Sequence, residues 1–177
     1  MTDAPTLNTA RLILRAQRVD DFEPFAAMLA TDRSRWMGGP CTRRDSWLWF
    51  ASDSGAWSLM GTGGWTIERR EDGAVLGQIG CNKPDFFPET ELGWMLYEGF
   101  EGRGYAFEAA AAARDWAFGT RGLPTLVSYI SPDNLGSIRL AERLGAIRDD
   151  AADRPEPDDL VYRHPHPSGD GGMEAYA

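Results

Sequence analysis

The sequence predicts a mixed α+β domain built on one central sheet. Short apolar runs with strand-like alternation recur along the chain, and stretches with apolar residues at helical spacing separate several of them. One such strand runs through a glycine-rich turn directly into a helix, the junction expected where a sheet meets a covering helix. Of the 177 residues 42% are hydrophobic, enough for a single core of ordinary size.

The first strand is read at Arg11 to Arg15, where charged ends flank Leu12, Ile13 and Leu14. Asp20 and Asp21 then offer an acidic N-cap to a helix with Phe22, Phe25, Ala26 and Leu29 on one face. A second helical stretch spans Arg44 to Ser52 and stops before the Gly- and Ser-containing segment from Ser54 to Gly64. A hairpin follows, with strands at 64–69 and 74–80 around the Glu71, Asp72, Gly73 turn. The next strand covers Glu91 to Tyr97. Beyond the turn from Gly99 to Gly104, a helix runs from Tyr105 to Phe118 and ends at Gly119 and Gly122. Thr125 to Ile130 is a strand, Asn134 to Leu144 a helix stopped by Gly145, and Leu160 to Arg163 a last strand. Residues 1–164 form one domain, and 165–177, with their Pro and Gly, a flexible tail.

Composition excludes several classes. No apolar run approaches the roughly 20 residues that span a bilayer, and Met1 to Thr9 lacks a signal pattern, so a cytoplasmic protein without a membrane partner is expected. A net charge of −9 is wrong for a general nucleic-acid binder and suits a cationic substrate. Cys41 and Cys81 are too few for a disulfide scaffold or structural zinc, and no metal site is expected. His164 and His166 sit near the chain end and are expected to face solvent.

Chemistry concentrates in two segments. In Gly99 to Glu108, glycines bend the chain after a strand and a helix starts with free N–H groups, an arrangement that attracts phosphate. It lacks the Gly-Lys-Ser/Thr of a Walker A loop, and Phe107 stands where a dinucleotide fingerprint needs its third glycine. In Ser131 to Gly145, Ser131 or Asp133 can cap a helix whose Ile138, Ala141 and Leu144 face a core, with Asn134 and Ser137 on one face near its start.

Together the two segments resemble the acetyl-CoA motifs of the GNAT superfamily of N-acetyltransferases, on its RimJ/RimL-like branch. Glu101, Gly102, Arg103, Gly104, Tyr105 and Ala106 are similar to the pyrophosphate loop Gln/Arg-x-x-Gly-x-Gly/Ala. Pro132, Asn134, Ser137 and Gly145 are similar to the branch's second motif, and Thr9 to Arg15, Glu91 to Leu96 and Gly104 to Ala109 to its opening strand, fourth strand and cofactor helix. The resemblance covers residues 7 to 164. Glu101 departs from the usual Gln or Arg, and Ala141 stands where many members place a tyrosine general acid.

The resemblance implies a GNAT fold, a mixed sheet splayed between the family's strands 4 and 5 with flanking helices, and acetyl-CoA (coenzyme A) in the splay. Amides of Gly102 to Ala106 would hold the pyrophosphate, with Arg103 adding charge and Asn134 and Ser137 touching the pantetheine arm. A backbone N–H within Trp94, Met95 and Leu96 would polarise the acetyl carbonyl. The implied reaction is direct attack by a primary amine, either a protein N-terminus or a small molecule, and the family suggests a homodimer. Freeing an α-amino group at pH 7 costs about 1 kcal/mol and a lysine about 4.6 kcal/mol, so a base helps. Glu91, at the start of the strand beside the thioester, is the candidate base, with Glu89 the substitute, and Ser137 the candidate proton donor to the thiolate. Trp36, Trp47, Trp49, Trp57 and Trp65 either fill the core or line the acceptor groove. The rival from another class is a non-catalytic acyl-CoA-binding module on the same fold.

Overall fold

The computed structural model describes residues 4–166. Eight strands form one sheet in the order β1-β2-β3-β4-β5-β6-β8-β7. They are β1 (Leu7–Asn8), β2 (Leu12–Arg15), β3 (Gly64–Arg69), β4 (Val75–Asn82), β5 (Glu91–Leu96), β6 (Val127–Ile130), β7 (Ile147–Arg148) and β8 (Leu160–Arg163). Four α-helices cover it: α1 (Phe22–Leu29), α2 (Arg43–Met60), α3 (Tyr105–Gly119) and α4 (Leu135–Arg143). Every pairing is antiparallel except β5 with β6, which is parallel and holds at a single position, Glu91 opposite Val127. Beyond that point the two strands part. This splay is the expected GNAT feature, and it falls between β5 and β6 because the short β1 adds one strand at the start.

Alternation along the strands sorts their side chains onto two faces. Trp65, Ile67, Ile79, Cys81 and Leu92 join Ala109, Ala113 and Trp116 of α3 in the larger core, where Trp57, Trp65 and Trp116 meet edge to face. Phe22, Phe25 and Leu29 of α1 and Phe50 of α2 pack with Tyr97 in a second cluster. Ala141 of α4 is fully buried beside Ile130 and Tyr162.

Three local expectations are corrected. The second helix does not stop at Ser52. It continues through Gly55 to Met60, because Thr42 caps its start, Trp57 anchors its last turns in the core, and Gly61 at φ 67° closes it. Asp21 precedes α1 but does not cap it. Its carboxylate turns inward to a buried pair with Arg15 (2.7 Å) and accepts from Thr66 (2.9 Å). The cap of α4 is Asn134, not Ser131 or Asp133: its Oδ1 accepts from the Ser137 N–H at 3.2 Å. The tail expected at 165–177 lies outside the described residues from 167 onward.

His164, expected in solvent, is only 3% exposed. Its backbone N–H continues the sheet by donating to Leu126, which draws the ring inward. Ser128 Oγ donates to the Leu92 carbonyl at 2.6 Å and lies 2.9 Å from His164 Nε2. The serine has one proton and has given it to Leu92, so Nε2 must carry the ring hydrogen. The buried Nδ1 is then a bare acceptor with no partner. Burial, reinforced by Arg114, pushes the imidazole down to about 4 and keeps it neutral. His166 is exposed as expected, its ring tilted on Phe118.

Candidate active site

The splay leaves backbone groups of β5 without a strand partner. Tyr97 N–H bonds to Leu76 of β4, so by alternation Met95, Gly93 and Glu91 also turn their peptide groups toward β4. Trp94 and Leu96 turn theirs toward the gap. Of the three residues expected to polarise a carbonyl, geometry therefore leaves Trp94 and Leu96 facing the opening, while Met95 packs its side chain against the α1 and α2 cluster. The Trp94 indole crosses to α4 and donates to Ser137 Oγ at 3.2 Å. This ties together three residues singled out from sequence, Trp94, Ser137 and Asn134, on the far wall of the gap.

At the pyrophosphate-loop end, Gly102 (φ 74°) and Gly104 (φ 78°) adopt left-handed conformations that favour glycine. Gly104 is the N-cap of α3 and supplies no side chain, so the first helical amides, from Tyr105 and Ala106 onward, meet no capping group. The Tyr105 ring itself is buried beneath the Arg11 guanidinium, and its hydroxyl accepts from Arg69, so only its backbone bears on the loop. Arg103 is exposed, its carbonyl held by Arg11 at 3.0 Å. The acidic Glu101 is turned aside: it pairs with Arg33 and accepts from the Gly99 N–H at 2.9 Å. Arg33, unforeseen from sequence, also donates to the Leu96 carbonyl at 3.1 Å. A carboxylate that would repel a pyrophosphate is thus paired with an arginine. The donor set suits an anionic cofactor.

The opposite end of β5 carries the candidate base. Glu91 stands directly across from Asn82 of β4, and the next row on the same face is Gly93, Gly80 and Gly64, in register across three strands. A Cβ on Gly64 would come 3.1 Å from Asp53, and one on Gly80 would come 2.7 Å from Asn82 Nδ2. A Cβ on Gly93 would meet the Glu91 carboxylate first, at 3.5 to 3.9 Å. The row is therefore a floor without side chains, and the Glu91 carboxylate lies over Gly93. Burial pushes the Glu91 carboxyl up to about 7. The Tyr129 backbone N–H opposes this, and the charges of Asp159 and Asp53 add to it.

Asp53 of α2 closes the slot. It accepts from the Trp49 indole at 3.1 Å and from Asn82 Nδ2 at 3.2 Å, and burial pushes it up to about 7 against the Trp49 bond. Asp53 lies one residue beyond the helix end expected from sequence, within the stretch that packing keeps helical. The signal that could have found the site is the glycines inside three neighbouring strands, a pattern that marks close approach. Glu89 behaves differently. Arg163 grips it with two bonds (2.7 and 2.8 Å), Thr125 adds a third, and these hold its carboxyl below the usual range. Of the five tryptophans considered, Trp57 and Trp65 are buried core, Trp49 borders the slot through Asp53, and Trp47 is 45% exposed on α2. Trp36 lies half-buried under Arg35. Cys81 is buried, its thiol pushed up to about 12, which leaves it inert. Among the described residues no cluster of three or more His, Cys, Asp or Glu is placed to hold a metal. No helix there is long and apolar enough to cross a membrane.

A mixed sheet splayed between two parallel neighbours, with a glycine-capped helix start at one end of the gap and a carboxylate at the other, defines the architecture of the GNAT fold. The family model for the acetyltransferase (GNAT) domain matches residues 11–147. The chain belongs to the GNAT acetyltransferase family. A crystal structure of an acetyltransferase from Agrobacterium tumefaciens C58 is 50% identical with a TM-score of 0.90, covering 92% of this chain and 95% of that one. The microcin C7 self-immunity acetyltransferase MccE, solved with acetyl-CoA and AMP, shares the fold at 16% identity and a TM-score of 0.66, over 88% of this chain and 92% of that one. YkkB of Bacillus subtilis strain 168 is 37% identical over 83 residues, 46% of this chain and 48% of that protein. The chain thus spans about half the length of the curated relatives it matches.

Proposed function

We propose that this protein transfers an acetyl group from acetyl-CoA to a primary amine by direct attack, as a RimJ/RimL-like GNAT enzyme of the cytoplasm. The observation that carries the reading is the gap opening from the Glu91–Val127 pair, with the α3 N-terminus beyond one end of β5 and Glu91 at the other. Bound acetyl-CoA supplies a thioester carbon that accepts the nitrogen and a sulfur that leaves with the bonding electrons. Amides of Gly102 to Ala106 and the Arg103 charge hold the pyrophosphate, with Arg33 keeping Glu101 off it. Asn134 and Ser137 line the pantetheine side, and the Trp94 and Leu96 N–H groups hold the carbonyl oxygen.

Glu91 takes one proton from the incoming ammonium, which frees the lone pair for C–N bond formation. A carboxyl near 7 is matched to an α-amino group near 7.7 and poorly matched to a lysine near 10.4. This favours a protein N-terminus or a weakly basic small amine. The Ser137 hydroxyl, which accepts from Trp94, retains its own proton to give to the departing sulfur, and the second proton that the nitrogen sheds as the amide forms restores it.

Calorimetry with acetyl-CoA tests the reading, comparing wild type with Gly104→Glu and using thermal melts to confirm both are folded. Micromolar-range binding lost in the variant supports it. Thiol release is then followed over a panel of N-terminal peptides and small amines. Absence of binding by folded wild type would refute acetyl-CoA use, and binding without transfer to any amine would favour the non-catalytic acyl-CoA module.

A further inference from the structure

We infer that Asp53 is a positioning residue for the acetyl transfer: held on α2 over the glycine row and bound to Asn82, it acts on the reaction through Glu91. The inference rests on the role of Glu91 proposed above. Asn82 and Glu91 are directly opposite in the β4–β5 ladder, so their side chains leave the same face as neighbours. Asp53 Oδ1 takes the Asn82 amide N–H at 3.2 Å, which seats Asp53 on the residue directly across the ladder from Glu91. Asn82 Oδ1 is buried with no protein partner, so among the described residues the Asn82 amide is held on the Asp53 side alone.

The placement is built into the backbone. Gly64 admits Asp53, with ordinary side-chain atoms excluded at 3.1 to 3.4 Å, and Gly63 admits the α2 backbone carbonyl of Asp53 itself, which a Cβ would meet at 2.6 Å. No described residue forms a salt bridge with Asp53 or Glu91. The groups facing Glu91 are Asp159 from the loop before β8, Asp53 from α2, Cys81 from β4 and Tyr129 from β6. All are acidic or neutral. The groups facing Asp53 are Trp49 on its own helix, Asn82 and Glu91.

Two carboxylates so placed titrate as a pair, and ionisation of one makes the other hold its proton more tightly. Asp53 thereby keeps Glu91 a strong enough base to take a proton from an ammonium at neutral pH. Removing the Asp53 charge weakens the base without touching the amine or the thioester.

Carbon-13 NMR of the full chain, labelled at Glu Cδ and Asp Cγ, reads this without any acceptor. Glu91→Gln assigns the Glu91 signal. In wild type the Glu91 and Asp53 carbons should each titrate in two steps with shared midpoints. In Asp53→Asn, which can still accept from Trp49 and bond Asn82, the Glu91 midpoint should fall by about half a pH unit or more, with the amide spectrum otherwise unchanged. Asp159→Asn should also lower it, and should leave the Asp53 step in place. An unmoved Glu91 midpoint in folded Asp53→Asn overturns the inference, leaving Asp53 a prop for the Gly63–Gly64 approach. If that variant fails to fold, independent single-step titrations of the two wild-type carbons overturn it. Coupled carboxylates in a protein that binds no acetyl-CoA would instead refute the acetyltransferase reading, and with it any place for Asp53 in the reaction.

Discussion

Two glutamates two residues apart carry opposite chemistry because their neighbours differ. Glu89 is gripped by Arg163 and Thr125 and stays ionised, whereas Glu91 lies over a bare glycine among acids. Glu91→Gln should lower kcat at pH 7 by about 100-fold or more while leaving the calorimetric Kd for acetyl-CoA unchanged. Glu89→Gln should leave kcat near wild type and lower the urea midpoint, because it leaves Arg163 with Asp149 as its only acid partner. Wild-type kcat/KM should fall below about pH 7 as Glu91 takes up its proton, and equal rates for the two variants would contradict this division. The Arg15–Asp21 pair is a purely structural counterpart. Truncating Asp21→Ala leaves a buried guanidinium with only Glu68 as its acid partner and should cost about 3–5 kcal/mol in urea unfolding. Both glutamates were visible in the sequence as candidates. Glu91 stood first and Glu89 as its substitute, but the contrast in their surroundings was not legible, because it depends on Arg163 and Asp53, which lie 74 and 38 positions away along the chain.

At the scale of elements, the opening between β5 and β6 depends on how firmly the strands are pinned where they part. The backbone bond from Val127 N–H to Thr90 at 3.1 Å is followed by a side-chain bond from Ser128 to the Leu92 carbonyl. Ser128→Ala removes that pin and strands the His164 Nε2 hydrogen, so stability should drop by about 1–3 kcal/mol. Acetyl-CoA binding should weaken with it, and an unaltered Kd would show that the pin does not shape the gap. The sequence showed the strands and the glycine turn before α3 because each has a local signature: alternation, positive-φ glycines, and a helix that follows. It misplaced the end of α2, since Gly55 and the serines read as a loop while Trp57, buried against Trp65 and Trp116, holds the helix. Locally that segment favours a turn, and packing overrides it.

Over the whole molecule, pH acts on stability through groups of opposite sign. His164 sits near 4 in the fold against 6.5 unfolded, so the fold loses stability as pH falls from about 6.5 to about 4. Glu91 and Asp53, pushed up to about 7, contribute stability that is complete below their unfolded values near 4.5 and 3.8 and is lost as pH rises through 7. His164→Gln isolates the first term. Between pH 7.5 and pH 4.5 wild type should lose up to about 3 kcal/mol relative to the variant, read as the difference in urea unfolding, and parallel losses would place the His164 ring in water. What the amino-acid sequence determined alone is the α+β class, the order of its main strands and helices, the glycine turn into α3, the Asn134–Ser137 face and the place of Glu91 at the start of its strand, all of which are written in contiguous residues. What only the tertiary structure decided is the slot itself. Gly64, Gly80 and Gly93 come into register through strand pairing, Asp53 reaches them from a helix longer than its local sequence suggests, and His164 is drawn inward by the sheet. These are contacts between distant segments, and their energies appear only once the chain has closed on itself.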